Sequence, residues 1–225
     1  MSTKPHLFDT LKERCSNDWN AYITHAFVRG VGDGSLPRAS FEHYLKQDYL
    51  FLVHFARAYA LAIYKSPTLA DMRKAKQTLA ALLDEEINLH TTFCATWGIS
   101  EAQMLDEAEA TANMAYTRYV LETGNAGDAL DLHTALVPCV VGYAEVARWL
   151  LDQPGTQLDG NPYRAWIEMY ASDDYQRVAT DAIAHLDDLG DRLGASARID
   201  RLSRIFHDAT RLEIGFWQMG IDQSL

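Results

Sequence analysis

The chain has 225 residues, of which 48% are hydrophobic, and this is enough to bury a core without disulfides or metal staples. A net charge of −11, from 20 basic and 31 acidic residues, disfavours binding to nucleic acid or to an anionic membrane surface. Three cysteines without a CxxC pair and the absence of a signal-peptide-like start or of a membrane-length apolar run favour a cytoplasmic protein without structural zinc.

Helical periodicity recurs along the whole sequence, and convincing strand alternation is absent. Short loop-like segments interrupt the periodicity at 30–37, 65–67, 97–100, 123–127, 153–162 and 190–195. None of them has the length of a domain linker. The pattern therefore predicts one all-α domain over residues 1–225, built as a bundle of amphipathic helices.

Several predicted helix ends carry sequence signals that typically start a helix. Ser100 followed by Gln103 matches a capping box. The pair Asn161-Pro162 matches an N-cap followed by proline in the first helical turn. Ser172 precedes two aspartates, which suit the positive end of a helix dipole. We expect helices to begin at these three points.

Four predicted helices carry an apolar stripe that contains one polar or reactive residue. In chain order the stripes are Phe41, Leu45, Asp48, Leu52, Phe55, Tyr59; then Met72, Ala75, Leu79, Leu82, Glu86, Leu89, Phe93; then Leu132, Leu136, Cys139, Tyr143, Val146, Leu150; and Ile199, Leu202, Phe206, Ala209, Glu213, Phe216. An unpaired carboxylate is costly to remove from water. A polar cavity shared by Asp48, Cys139 and Glu213 would explain the pattern.

Each of these residues also has a structural interpretation. A free cysteine often acts as a small buried hydrophobic residue. Asp48 and Glu213 could instead pair with arginines. Glu86 could hydrogen-bond to His90, which lies one turn further along the same helix, and for Glu86 we prefer this structural role.

The neighbours of Cys139 favour a site for a flat ligand. Pro138 removes a helix hydrogen bond and tends to bend the helix, which either opens space beside the thiol or only curves the helix around the core. Tyr143 follows one turn later on the same face. Tyrosine rings can stack on a heteroaromatic ligand while carboxylates accept its N–H groups.

Motifs for other chemistries are absent from the sequence. Gly30–Gly34 is rich in glycine, but it follows a predicted helix, lacks a Walker lysine and predicts a turn. There is no GxSxG sequence, and the paired Glu-x-x-His motifs of a di-iron bundle are missing. We therefore expect no bound metal. Bound iron would instead indicate a metal-dependent oxygenase.

Four segments, taken together and in order, resemble the TenA, or thiaminase II, family over nearly the whole chain. They are HAFVRGVGDGSLPRASFEHYLKQDYLFLVHFARAYA at 25–60, LVPCVVGYAEV at 136–146, the segment around WIEMYAS, and the C-terminal RLEIGFWQMG. The combination is far more specific than any single segment. The resemblance implies a haem-oxygenase-like helical bundle that forms a homotetramer, with an active site inside each subunit and without haem, metal or another cofactor.

The same resemblance implies an activity on a small molecule. Members of the family hydrolyse 4-amino-5-aminomethyl-2-methylpyrimidine to the hydroxymethylpyrimidine in thiamin salvage, and many also split thiamin with water as the acceptor. Carried over to this sequence, the resemblance implies that Cys139 is the nucleophile and that Glu213 is the acid/base near the pyrimidine amino group. It also implies that Asp48 hydrogen-bonds the pyrimidine.

The resemblance further implies an aromatic pocket. Its members are Phe51, Tyr116, Tyr143 and Tyr170. Phe51 departs from the pattern because many relatives have a tyrosine there. A phenylalanine can still stack on the ring but cannot donate a hydrogen bond. We therefore expect Phe51 to alter either the behaviour of Glu213 or the preference among aminopyrimidines.

Two other functions remain open at this point. One is a metal-dependent oxygenase on the same helical scaffold, which stoichiometric iron in the purified protein would indicate. The other is a non-catalytic pyrimidine-binding or regulatory protein. Such a binder would need Asp48 and the tyrosines but not Cys139.

Overall fold

Every regular element is a helix in residues 6–225, which are the residues that the computed structural model describes. The α-helices are α1 (Leu7–Arg14), α2 (Ser16–Ile23), α3 (Ala26–Asp33), α4 (Arg38–Lys65), α5 (Leu69–Ala81), α6 (Ile87–Thr96), α7 (Glu101–Leu105), α8 (Thr111–Ala126), α9 (Ala129–Asp152), α10 (Arg164–Ala171), α11 (Asp173–Arg192) and α12 (Ile199–Asp222). A π-helical turn (Leu82–Glu86) joins α5 to α6, and a 3-10 turn (Ala195–Arg198) precedes α12. The predicted all-α class is confirmed.

The chain divides into two compact units because its internal contacts cluster in two groups. The first unit contains the described residues up to Leu36 together with His133–Trp217. The second contains Pro37–Leu132 and Gln218–Leu225. The single domain expected from the sequence stays a prediction.

Aromatic side chains fill the core of the first unit. The Trp19 and Phe206 rings stack with their centroids 5.4 Å apart, and Phe8 lies edge-on to both. Helix α9 lies so close to Tyr22 that a Cβ atom at Gly142 would overlap the tyrosine ring. Glycine at this position therefore allows the close contact between α9 and the Tyr22 side chain.

Helix α4 is the longest element of the second unit, and α5 and α8 pack along it. The buried Gln47 side chain donates to the carbonyl oxygen of Ala108 over 2.8 Å and accepts from the N–H of Ala110 over 2.9 Å. Asn113 donates to the backbone oxygen of Gln47 over 2.8 Å. These bonds hold the loop between α7 and α8, a break that the sequence pattern does not predict.

The capping signals in the sequence mostly coincide with observed helix starts. The capping box between Ser100 and Gln103 is present, and the Ser172 hydroxyl caps α11. Helix α10, by contrast, begins at Arg164 rather than at Pro162. Asn161 explains the delay because its side-chain amide donates to backbone oxygens of α3, while its side-chain oxygen accepts from the N–H of Tyr163.

The π-helical turn changes which residues of α6 are buried. The 3.6-residue period predicts that Leu89 lies on the core face, but Leu89 is 62% exposed. Cys94, which the predicted stripe excludes, is fully buried. A π-helical turn contains about one residue more than an α-helical turn. The turn at 82–86 therefore moves the inward face forward by one residue, to His90 and Cys94.

Among the described helices, α9 is long and apolar enough to cross a membrane by length and composition. Most of its apolar window, 72%, is buried within the protein. Core helices in general have this degree of burial. The helix continues through Pro138 and carries Cys139 and Tyr143.

Candidate active site

In the second unit, Asp48 lies in a buried cluster of polar groups. Its carboxylate oxygen Oδ2 is 3.4 Å from Nδ1 of His90, and the Tyr44 hydroxyl donates a hydrogen bond to the same carboxyl group. Burial raises the pKa of Asp48 to about 7, although the hydrogen bond from Tyr44 acts in the opposite direction. A carboxyl group with such a pKa can hold a proton at neutral pH.

His90 is held by a backbone carbonyl of the neighbouring helix. Its Nε2 lies 2.9 Å from the oxygen of Leu45, which can only accept a hydrogen bond. Burial lowers the pKa of His90 to about 4, so the ring is neutral at physiological pH. The preferred structural role for Glu86, a hydrogen bond to His90, is wrong: among the described residues, His90 contacts Leu45 and Asp48 instead.

Glu86 stands at the end of the π-helical turn and faces the charge of Asp48. Burial raises the pKa of Glu86 to about 7, and the negative charge of Asp48 contributes to the shift. The residue nevertheless keeps exposed surface. Two neighbouring carboxyl groups that both titrate near neutrality are typical of functional sites.

Two of the predicted pocket residues meet in this unit. The rings of Phe51 and Tyr116 have their centroids 5.1 Å apart at an angle of 35°, and both side chains are buried. Phe51 also stacks on Phe55, with centroids 5.3 Å apart. Since Phe51 follows Asp48 by one turn of α4, the aromatic group lies next to the polar cluster on one helix.

In the first unit, Cys139 differs from the other two cysteines of the chain in its burial. Its side chain is half-buried, whereas Cys15 and Cys94 are buried. Burial raises the pKa of Cys15, and burial together with the charge of Asp48 raises that of Cys94 to about 12. A thiol needs a thiolate form and access to react. Cys15 and Cys94 lack both at neutral pH, and the assignment of Cys139 as the nucleophile stays a prediction.

Tyr143 and Tyr170, the other two predicted pocket residues, are also brought together. Their ring centroids are 4.8 Å apart, and Tyr143 follows Cys139 by one turn of α9. Trp217 lies 5.2 Å from Tyr143, and Trp166 lies 4.8 Å from Tyr170. Neither tryptophan is among the pocket residues predicted from the sequence, although both lie in segments that resemble the family.

Glu213 lies in α12, one turn before Trp217, and its side chain is buried. A buried carboxyl group needs hydrogen-bond partners or an altered protonation state. The burial agrees with the position of Glu213 in the apolar stripe of the predicted helix, and its role as the acid/base stays a prediction. The burial also separates Glu213 from the exposed acidic residues that make up most of the negative charge.

The predicted residues therefore fall into two groups, one in each unit. The second unit holds Asp48, Phe51 and Tyr116, and the first unit holds Cys139, Tyr143, Tyr170 and Glu213. Within each unit the predicted aromatic pairs are in contact. The prediction that both groups share one cavity joins residues of different units and stays a prediction.

Comparison with known proteins places the chain in a family. Residues 13–223 match the sequence profile of the TENA/THI-4/PQQC family. An uncharacterized protein of Haemophilus influenzae is 42% identical over 216 residues, which are 96% of this chain and 99% of that protein. The aminopyrimidine aminohydrolase of Halalkalibacterium halodurans is 35% identical over 216 residues, which are 96% of each protein.

Solved structures agree with this assignment. The crystal structure of a TenA family transcription regulator from Silicibacter superposes with a TM-score of 0.90 at 46% identity, over 96% of both chains. A domain from Shewanella denitrificans that is described as having a heme oxygenase-like fold superposes with a TM-score of 0.76 at 14% identity, over 96% of this chain and 92% of that one. The expected haem-oxygenase-like fold is confirmed, and the chain belongs to the TENA/THI-4/PQQC family.

Proposed function

We propose that the chain is an aminopyrimidine aminohydrolase of thiamin salvage, which converts an aminomethylpyrimidine, and thiamin as a second substrate, to the hydroxymethylpyrimidine. The similarity to the aminohydrolase of Halalkalibacterium halodurans supports the substrate class. One structural observation supports the proposed covalent mechanism. Cys139 is the half-buried cysteine, one turn from the Tyr143–Tyr170 pair, in a chain whose other cysteines are buried.

In the proposed reaction the thiolate of Cys139 adds to a ring carbon of the pyrimidine. A proton from Glu213 reaches a ring nitrogen, which makes the ring electrophilic for this addition. The ring electrons then expel the amine, which is already protonated in water, from the exocyclic methylene as ammonia. Water adds to the methylene carbon and gives a proton to the Glu213 carboxylate, and the thiolate is expelled as the ring nitrogen loses its added proton to solvent and the ring regains aromaticity. The products are the hydroxymethylpyrimidine and ammonia.

The remaining groups bind the ring. Asp48 accepts N–H groups of the pyrimidine, and the Phe51–Tyr116 and Tyr143–Tyr170 pairs offer aromatic faces for stacking. Because Phe51 cannot donate a hydrogen bond, the preference among aminopyrimidines differs from that of relatives with a tyrosine there.

An assay with two substrates tests this function. The purified protein is incubated with aminomethylpyrimidine or with thiamin, and hydroxymethylpyrimidine is quantified by chromatography, with ammonia measured in parallel for the first substrate. We expect hydroxymethylpyrimidine and ammonia in equal amounts from the aminomethylpyrimidine. Cys139→Ala should lower the rate by a factor on the order of a thousand or more, since it removes the nucleophile.

Cys15→Ala is the matched control because Cys15 is a buried cysteine of the same unit. It should keep the wild-type rate within about threefold. Turnover by Cys139→Ala at the wild-type rate would exclude covalent catalysis by this thiol. Stoichiometric iron with no pyrimidine hydrolysis would favour the oxygenase.

We also propose that the chain assembles as a cytoplasmic homotetramer. Large apolar side chains of the second unit are exposed on and beside α5 and α6, and these are Tyr64, Leu69, Met72, Leu83 and Leu89. A subunit interface over these side chains would remove them from water, which supports assembly. Light scattering measures the mass, and a value near 25.3 kDa would contradict the assembly.

A further inference from the structure

His90 bridges two positions of α4 with one imidazole ring. Its Nε2 is 2.9 Å from the carbonyl oxygen of Leu45, and its Nδ1 is 3.4 Å from Oδ2 of Asp48. Both side chains are largely buried, with 10% exposure for His90 and 8% for Asp48. Leu45 and Asp48 are three residues apart and therefore lie on the same face of α4. The π-helical turn supplies this contact because it brings position 90, rather than 89, to the inward face.

The contact with Leu45 decides which nitrogen of His90 carries the proton. A carbonyl oxygen accepts hydrogen bonds, so Nε2 must be the protonated nitrogen. In a neutral imidazole the other nitrogen then has a lone pair, and this lone pair points at Asp48. Two lone pairs facing each other repel, and a proton on the Asp48 carboxyl group turns the repulsion into a hydrogen bond.

The other titratable groups around Asp48 favour this protonation. Tyr44 faces it from α4, Glu86 from the π-helical turn, and Cys94 from α6, while α8 contributes the Tyr116 ring beside Phe51. None of these groups is a cation that would stabilise an ionised carboxylate. Burial raises the pKa of Asp48 to about 7 and lowers that of His90 to about 4, so the proton belongs to the carboxyl group.

We propose that His90 is a positioning residue: Nδ1 accepts a hydrogen bond from the protonated Asp48 and fixes the rotation of its carboxyl group. Oδ2 of Asp48 then bonds to His90, and the remaining acceptor positions of the carboxyl group, beside the hydrogen bond from Tyr44, are presented to the N–H group of the pyrimidine. This role rests on the proposed function because it acts through the contact of Asp48 with the substrate. His90 itself does not touch the ring.

Binding of the product tests this role without requiring turnover. Calorimetry measures the Kd of hydroxymethylpyrimidine for the wild type, His90→Phe and His90→Asn. Phenylalanine keeps a ring but has no acceptor, whereas the asparagine amide lies close to the position of Nδ1. We expect His90→Phe to raise the Kd about tenfold, the effect of one lost hydrogen bond, and His90→Asn to restore binding to within about threefold.

A double-mutant cycle distinguishes positioning from packing. In an Asp48→Ala background, His90→Phe should have no further effect on the Kd because the residue through which it acts is gone. His43→Asn is the control: it exchanges a histidine of α4 that bonds to the backbone oxygen of Ser224. It should leave the Kd unchanged.

The outcomes separate this role from the proposed function. A wild type that binds no pyrimidine would exclude the proposed function. A wild type that binds, with an unchanged Kd in both His90 variants, would overturn the positioning role alone. Equal losses in His90→Phe and His90→Asn would also overturn it. If His90→Phe fails to fold by circular dichroism, His90→Gln replaces it, since glutamine reaches Leu45 but not Asp48, and the same tenfold rise is expected.

Discussion

Asp48 shows at the scale of single residues how a buried acid is accommodated. Burial destabilises its charged form and raises its pKa to about 7, while the hydrogen bond from Tyr44 offsets part of that cost. A polar residue within an apolar stripe predicts a buried carboxyl group of this kind from the sequence alone. Its partner on another helix does not follow from the sequence because helical periodicity contains no information on which helices meet.

The cysteines illustrate the same limit. Sequence spacing excludes a disulfide framework but cannot rank Cys15, Cys94 and Cys139 by burial. Cys94 falls outside the predicted stripe and is nevertheless fully buried, with a pKa raised to about 12 by burial and by the charge of Asp48. The choice of Cys139 depended on the family resemblance and on its position within an apolar helix face.

Glu213 leads to a prediction at this scale. Glutamine keeps the size and hydrogen-bonding capacity of the side chain but cannot transfer a proton. Glu213→Gln should therefore lower kcat on the order of a hundredfold while circular dichroism stays unchanged. The measurement is the rate of hydroxymethylpyrimidine formation between about pH 5 and 9. A variant that matches the wild type throughout this range would require a different acid/base.

At the scale of helices, short sequence motifs predict a helix start correctly where the capping residue bonds within its own helix. The capping box at Ser100 and the N-cap at Ser172 follow from short sequence motifs, and both are observed. The start of α10 was placed two residues early because Asn161 uses its side chain to bind α3. The loop after α7 was missed since the distant Gln47, rather than a glycine or proline, stabilises it.

The π-helical turn was equally inaccessible to sequence analysis. Its residues, LLDEE, include no glycine or proline, so the sequence gives no reason to expect an interruption of the α-helix. The turn is nevertheless what brings His90 and Cys94 to the inward face of α6. Turns of this kind occur frequently at functional sites, and here the turn lies beside Asp48.

Helix α9 offers a stability prediction at the scale of elements. A methyl group at Gly142 would overlap the Tyr22 ring, so Gly142→Ala should destabilise the protein by about 1–3 kcal/mol. Gly215→Ala in α12 is the matched control because no atom lies within 4 Å of its added methyl group. The control should gain about 0.5–1 kcal/mol from helix propensity.

Denaturant titration measures both variants. Equal stability of Gly142→Ala and the wild type would mean that the contact between α9 and Tyr22 is looser than described. Such a result would contradict the described packing of α9, the helix that contains Cys139. It would not contradict the proposed binding of the pyrimidine to Asp48.

At the scale of the whole molecule, the all-helical class followed from periodicity, and the family followed from four segments spread along the chain. The match over residues 13–223 and the superposition on a heme oxygenase-like domain confirm both. The single cavity that would join the Asp48 and Cys139 groups stays a prediction. It requires the group around Asp48 in one unit and the group around Cys139 in the other to serve a single ligand.

Alkylation of Cys139 with iodoacetamide, followed by mass spectrometry, tests this central claim most directly. Cys15 and Cys94 are buried and should remain unmodified in the folded protein, so the reaction reports on Cys139. We predict that saturating hydroxymethylpyrimidine slows alkylation of the wild type at least about tenfold, and that Asp48→Ala, at the same ligand concentration, loses most of this protection. An alkylation rate of Cys139 that the pyrimidine leaves unchanged in the wild type would contradict a common site.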